Sequence, residues 1–200
     1  EIYPTMLYHA PYYSFGINPC CWSKVFKKSL LEQCLYSVTP KVKIGEDAAF
    51  TYPCLLAAES LAYVDGCLYH YRNNAQSMTA AFDPHLTETI FIPLDILRTY
   101  FDTDKRALFA QYQMYAAYLL QLWVRNQASL DCDLDRKGLR QSCARVCQNQ
   151  ELRALLASVP GALPRQVAVA VRAVQQQKPG QLYLLIKAWN LYYKLRDGRA

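Results

Sequence analysis

The change of pattern near residue 80 constrains the fold most, because after it the chain is predicted to be helical only. Apolar residues then recur at helical spacing in five segments, at 84–101, 104–128, 135–157, 163–177 and 180–196. Pro160 and Gly161 separate two of these segments, and the Pro179-Gly180 pair separates the last two. Residues 81–200 are therefore predicted to form a C-terminal helical bundle.

Residues 1–80 are more mixed. Residues 41–44 alternate basic and apolar side chains with period two and end at Gly45, which predicts a short strand and a turn. Residues 61–64 and 67–71 flank the pair Asp65-Gly66, a pattern typical of a β-hairpin. Helices are expected at 22–35 and at 48–60, the second containing Pro53. The predicted fold class is α+β, mostly helical, with a few short strands before the bundle.

Composition indicates a chain with a large buried core. Hydrophobic residues make up 52% of the 200 positions and include 16 tyrosines, which argues against disorder. No run of eighteen apolar residues and no signal-peptide pattern occurs, and the eight cysteines include no C-x-x-C spacing. Reduced thiols and a cytoplasmic location are expected.

The positive charge is concentrated in the second part of the chain. Residues 81–200 carry the whole formal excess of +6, while residues 1–80 are formally neutral. Such a helical tail could contact anionic lipid, but its charges are interspersed, which favours a solvated face. No recognition motif for nucleic acid accompanies them, so a nucleic-acid partner is not expected.

An acidic pair at a predicted helix start is the strongest candidate for chemistry. Glu46 and Asp47 follow a predicted strand and Gly45. Asp in this position is commonly a helix cap, yet sites in α/β folds are also built there. Arg72 and Ser77 come five residues apart downstream, after the hairpin pattern. Cationic and hydroxyl donors opposite a carboxylate suit the activation of a hydroxyl beside a phosphate leaving group.

This order of motifs resembles the acceptor-side part of inverting family 2 glycosyltransferases with a GT-A fold. The resemblance covers about residues 15–80 and consists of an Asn/Trp/Lys-bearing segment, an "ED" pair and a "Y-x-Y-R…S" segment. The matching residues are Asn18, Trp22, Ser23, Lys24, Phe26, Glu46, Asp47, Tyr69, Tyr71, Arg72, Ser77 and Thr79. It implies a partial GT-A region at 1–80 and a parent enzyme acting in cell-surface glycan or polysaccharide synthesis.

The resemblance also implies roles for individual residues. Asp47 would be the general base that deprotonates the acceptor hydroxyl, and Glu46 would help to position it. Arg72 and Ser77 would contact the donor diphosphate. Acceptor-side and metal roles are implied for three further residues, Trp22 and Lys24 at the acceptor and His70 at a divalent metal.

The nucleotide-binding half of the family, with its D-x-D metal motif, has no counterpart in the sequence. Asp102-Thr103-Asp104 and Asp131-Cys132-Asp133 follow no apolar strand and come after the acidic pair, so neither qualifies. The chain is therefore expected to be a C-terminal fragment, inactive alone, of a longer enzyme that uses Mg²⁺ or Mn²⁺. No cation is expected on the fragment itself, whose exposed aromatic surface could cause self-association.

Two alternatives remain open from the sequence. The segment from Leu182 to Leu195 is expected to be a core helix of the bundle or a helix on the inner face of the cell membrane, near a lipid-linked acceptor. As a whole, the chain could instead be a non-catalytic helical interaction module that retains a glycosyltransferase remnant.

Overall fold

The computed structural model describes residues 3–9, 14–34, 39–70, 72, 81–101 and 108–197. Within these ranges the fold is mostly helical. The α-helices are α1 (Lys28–Cys34), α2 (Glu46–Ala57), α3 (Leu86–Thr89), α4 (Ile92–Phe101), α5 (Leu108–Gln127), α6 (Arg136–Gln148), α7 (Gln150–Leu156), α8 (Arg165–Gln175) and α9 (Pro179–Arg196), with short 3₁₀ turns at Tyr3–Thr5 and Cys21–Ser23.

Helix α5 is the centre of the fold. It packs against α4 on one side and against α7, α8 and α9 on others, so most of its positions are buried. Trp123, a large side chain on this helix, is fully enclosed and donates its indole N–H to Thr87 Oγ1 at 3.1 Å. A helix that is apolar on nearly every side belongs inside a bundle.

Among the described residues after residue 80, the predicted helical structure is confirmed, with two of the predicted helices divided. The predicted segment 84–101 is split into α3 and α4, and 135–157 is split into α6 and α7. The second break is at Asn149, whose extended backbone ends α6 while its side-chain oxygen accepts a hydrogen bond of 2.9 Å from Leu152 N. An asparagine that caps a new helix stops the preceding one.

The strands predicted before residue 80 do not form among the described residues, where the only β pairing is an isolated bridge between His9 and Ser14. Residues 61–70 are irregular and exposed, with Tyr63 at 85% and Leu68 at 84% exposure. A strand needs a neighbouring strand for its backbone hydrogen bonds, and no sheet lies beside this segment in the described structure. The partial GT-A α/β region therefore remains a prediction.

One hydrophobic core joins the two parts of the chain. Met6, Leu7 and Tyr52 from the first 80 residues belong to the same buried cluster as Leu97 and Trp123. The side chain of Gln111 strengthens this junction, because its Oε1 accepts from Leu7 N at 2.8 Å and its Nε2 donates to the Tyr3 carbonyl at 2.7 Å. The division at residue 80 is a change of pattern across which packing continues.

Helix α9 lies on the outside of the bundle. It packs against α6 and α8, burying Leu182 and Ile186, while Leu184, Leu191 and Leu195 stay exposed. None of the described helices is both long and apolar enough to cross a membrane.

Candidate functional site

A cleft of about 1070 Å³ opens where the N-terminus of α2 meets α5 and the C-terminal part of α9. We call it the central cleft. Its walls include Asn18, Glu46, Asp47, Tyr118, Arg125 and Trp189. The acidic pair singled out in the sequence thus lies on the wall of a pocket of the size that takes small-molecule ligands, roughly 300–1,000 Å³.

Helix α2 holds the segment 17–21 against one of its faces. Asp47 Oδ1 accepts a hydrogen bond from Cys21 N at 3.3 Å, and Thr51, one turn along the helix, donates its hydroxyl to the Pro19 carbonyl at 2.6 Å. The hydroxyl of Tyr52 donates to the Ile17 carbonyl at 2.9 Å. These three bonds fix the loop that borders the cleft and orient the carboxylate of Asp47.

Gly45 allows α2 to begin at this point. Its φ of 87° is in the left-handed region, which favours glycine. A Cβ at this position would lie 2.7 Å from Tyr115 Oη and 3.0 Å from Pro93 Cγ. The first turn of α2, and with it the acidic pair, is therefore seated directly on α4 and α5.

Aromatic rings from two parts of the chain line the cleft beside the acidic pair. Tyr118 stacks on Tyr115 with ring centres 6.2 Å apart, and Phe15 meets Tyr118 edge-on at 5.7 Å. Because Tyr115 is buried, with Tyr118, Glu46 and Asp47 nearby, its pKa is well above the ordinary value. Its hydroxyl therefore stays protonated and cannot serve as a base at neutral pH.

A further part of the lining is supplied by the last two turns of α9. Trp189, Tyr192 and Tyr193 line the cleft at helical spacing. The Trp189 and Tyr193 rings meet nearly perpendicular at 6.1 Å. Asn190 attaches this helix to the end of α5, since its Nδ2 donates to the carbonyls of Ala128 and Ser129 at 3.2 Å each.

Burial shapes the titration of the groups around Asp47. Desolvation raises the pKa of Glu46, with a smaller contribution from the negative charge of Asp47. Desolvation and a hydrogen bond with Asp47 raise the pKa of the Cys21 thiol to about 11. That thiol is protonated at neutral pH, so it is not a nucleophile, and the carboxylates are the candidates for proton transfer.

The predicted acceptor residues Trp22 and Lys24 lie near the site but are not among the residues lining the cleft. Trp22 stacks on Tyr69, with ring centres 4.7 Å apart and planes at 21°. The Lys24 ammonium donates to Cys20 O at 3.1 Å, to Ser23 Oγ at 3.0 Å and to the Asn18 carbonyl. Desolvation lowers the pKa of this amine. Its observed contacts stabilise the loop at 18–24; an acceptor role remains a prediction.

The described residues predicted to bind the donor diphosphate and a metal ion are not among those that line the cleft. Arg72 and His70 are exposed and do not line the cleft, and Ser77 lies outside the described residues. In the part of the chain that the structure describes, no three His, Cys, Asp or Glu side chains are grouped to hold a metal ion. A metal role for His70 and a divalent cation in the parent therefore remain predictions.

The residues of α5 and α9 that line the cleft were missed as site residues by the sequence analysis. Tyr118, Leu122 and Arg125 follow the helical repeat of α5, and Trp189, Tyr193 and Arg196 follow that of α9. Each stripe is recognisable in the sequence as a helix face. Nothing local distinguishes a face that lines a cleft from one that packs in a core.

Comparison of the chain with protein-family models, curated proteins and solved structures gives no match.

Proposed function

We propose that this chain is the acceptor-side part of an inverting glycosyltransferase that transfers a sugar from a nucleotide-sugar donor to a hydroxyl acceptor. The observation that carries the proposal is the position of Asp47 on the wall of the central cleft, with its Oδ1 held by the Cys21 amide at 3.3 Å. The resemblance of residues 15–80 to family 2 enzymes supplies the reaction class.

In this reaction the acceptor hydroxyl binds in the cleft beside Asp47. The carboxylate takes the hydroxyl proton while the oxygen forms a bond to the anomeric carbon of the donor sugar. The bond from that carbon to the diphosphate breaks on the opposite face, and its electron pair leaves with the nucleoside diphosphate. A modest base suffices, because the hydroxyl proton becomes acidic only as the new bond forms.

Neighbouring groups support this role for Asp47. The bond from the Cys21 amide fixes one carboxylate oxygen, so the side chain is oriented before the substrate arrives. Glu46 has a raised pKa and lies on the same wall, where it can hydrogen-bond an acceptor hydroxyl in either protonation state. Arg72 and Ser77 are proposed to contact the donor diphosphate, and the chain alone is proposed to be inactive.

The test is release of nucleoside diphosphate from a panel of sugar nucleotides by the full-length parent, with Asp47→Asn compared with the wild type. We expect a loss of about a hundredfold or more in turnover with the fold intact, as for a general base. Asp133→Asn, an exposed carboxylate outside the cleft, is the matched control and should keep its activity. Full activity of Asp47→Asn would reduce Asp47 to a residue that holds the 17–21 loop.

A second candidate function is a non-catalytic interaction module, and the exposed segment 61–70 favours it. Leu61, Val64 and Tyr69 are each more than half exposed there, alongside Tyr63 and Leu68. Apolar side chains concentrated on one exposed segment are typical of a protein-binding surface. Sugar transfer by the parent that survives Leu68→Ser and is lost in Asp47→Asn would favour the enzyme over the module.

A further inference from the structure

The central cleft has the chemical character of a saccharide site, and α9 supplies the wall that indicates it. A pyranose ring presents apolar C–H faces and a rim of hydroxyl groups. Aromatic side chains cover such faces, and amide or hydroxyl side chains bind the rim. The cleft offers both kinds of group.

Three of the aromatic rings that line the cleft belong to α9. Tyr192 lines the cleft and is 59% exposed, and Trp189 beside it is half-buried. Tyr193 supports both rings, lying 6.1 Å from Trp189 and 5.8 Å from Tyr192. A partly exposed ring held by a second ring is a preorganised stacking platform, because little side-chain freedom is lost when a ligand binds.

Polar side chains also line the cleft. The wall residues with side-chain amides or an aliphatic hydroxyl are Asn18, Gln121, Asn126 and Ser129. They belong to the 17–21 loop, to the second half of α5 and to the turn that follows it. Neutral donors and acceptors of this kind match hydroxyl groups without requiring charge on the ligand.

The charges of the cleft are nearly balanced, which argues for a neutral ligand. The wall residues with formal charge are Lys43, Arg125, Arg196, Glu46, Asp47, Asp131 and Asp197. Two of the three cations are already paired, Lys43 with Asp83 at 3.3 Å and Arg196 with Asp197 at 2.7 Å. A strongly anionic ligand would find little uncompensated positive charge beside Glu46 and Asp47.

We propose that the central cleft binds a neutral oligosaccharide, with Trp189 and Tyr192 as the stacking platform and the sugar chain directed towards Asp47. Naming this saccharide the acceptor rests on the proposed function, whereas its binding does not. The C-terminal helix would thereby determine acceptor choice, a role that the sequence left unassigned for residues 81–200.

The test is titration of the chain with neutral trisaccharides of glucose, galactose or N-acetylglucosamine, followed by Trp emission. Trp189 is the tryptophan that lines the cleft, Trp123 is fully buried and Trp22 is exposed outside the cleft lining, so a saturable change is expected from Trp189. Tyr192→Ala should weaken binding about tenfold, which corresponds to about 1.4 kcal/mol for the lost aromatic contact. A trisaccharide containing glucuronate should bind more weakly than its neutral counterpart.

Matched variants distinguish a loss of saccharide binding in the central cleft from a loss of folding. Tyr63→Ala removes an 85% exposed tyrosine outside the cleft and should leave binding unchanged. Trp189→Phe keeps a ring but removes the reporting indole, so loss of the saturable emission change in a folded protein would assign that signal to the cleft, and a change that persists would not come from it. Absence of saturable binding by every trisaccharide, or equal binding by Tyr192→Ala and the wild type, would overturn the proposal.

The Asp47→Asn variant distinguishes failure of this inference from failure of the proposed function. It should bind saccharide within about twofold of the wild type and lose transfer in the parent. If Asp47→Asn binds saccharide and retains full transfer, Asp47 is not the general base, but the central cleft is still a saccharide site. If Asp47→Asn loses transfer and neither this variant nor the wild type binds a trisaccharide, the general base is supported and saccharide binding in the central cleft is rejected.

Discussion

Tyr115 Oη lies 2.7 Å from the point that a Cβ on Gly45 would occupy, so the start of the acidic helix and the central helix fit together only with glycine there. The tyrosine is 1% exposed and belongs to the hydrophobic core. The backbone of Gly45, with φ of 87°, adds a second requirement for glycine. The position of Glu46 and Asp47 on the cleft wall depends on this contact.

Gly45→Ala should therefore lower the free energy of unfolding by about 2 kcal/mol or more, from left-handed backbone strain and overpacking. Urea unfolding monitored by circular dichroism measures it. Gly180→Ala is the matched control, because no atom lies within 4 Å of its Cβ position in the first turn of α9. Alanine there should be neutral or slightly stabilising. Equal stabilities of the two variants would contradict the packing described at Gly45.

Thr51→Val should loosen the loop that holds Asp47. Valine keeps the shape but removes the donor to the Pro19 carbonyl, at a position with 0% exposure. Leaving that buried carbonyl without its partner should cost about 1–3 kcal/mol of unfolding free energy. Thr99→Val, on an exposed face of α4, should change stability by less than about 0.5 kcal/mol. Denaturant unfolding of both variants tests whether the hydrogen bond from Thr51 to the Pro19 carbonyl stabilises the fold.

Asn190→Ala should weaken saccharide binding without removing any group that lines the cleft. The side chain joins α9 to the end of α5 through two bonds of 3.2 Å, so its loss should let the aromatic wall shift. We expect roughly 1 kcal/mol lower stability and weaker trisaccharide binding by the Trp titration. Gln181→Ala, exposed at the other end of α9, is the control. Unchanged binding in Asn190→Ala would show that the wall holds its place without this attachment.

The carboxyl pair between α4 and α7 should make stability depend on pH. Burial, followed by a hydrogen bond and repulsion from Glu151, raises the pKa of Asp95 to about 6 from an ordinary value of about 3.9, against the opposing effect of Arg98. Between these values the folded state binds a proton that the unfolded state has released, so this contribution to stability is lost as the pH rises.

Urea unfolding of the wild type and Asp95→Asn at pH 4.5 and pH 7 tests this dependence. Relative to the variant, the wild type should lose stability on going to the higher pH. An identical pH dependence in the two proteins would show that Asp95 carries no raised pKa.

Local sequence patterns were sufficient for the helices of residues 81–200 and for the start of α2 at the acidic pair. Helical periodicity, proline breaks and capping residues act within a few positions, so they are legible without the fold. The helix break at Asn149 was missed because a single capping asparagine hardly disturbs the surrounding periodicity. The hairpin predicted from the pattern at 61–70 does not form for a different reason. The pattern shows a preference for extended backbone, but a strand forms only where a partner strand completes its hydrogen bonds.

The sequence by itself determined that Glu46 and Asp47 begin a helix, because a glycine followed by acidic residues favours a helix N-terminus in any context. Only the tertiary structure decided what this helix faces. Packing around α5 brings the end of α9, with Trp189 and Tyr192, to the same cleft as Asp47. Contacts between residues so distant in the chain depend on which faces of the helices are buried together, and no local pattern encodes that choice.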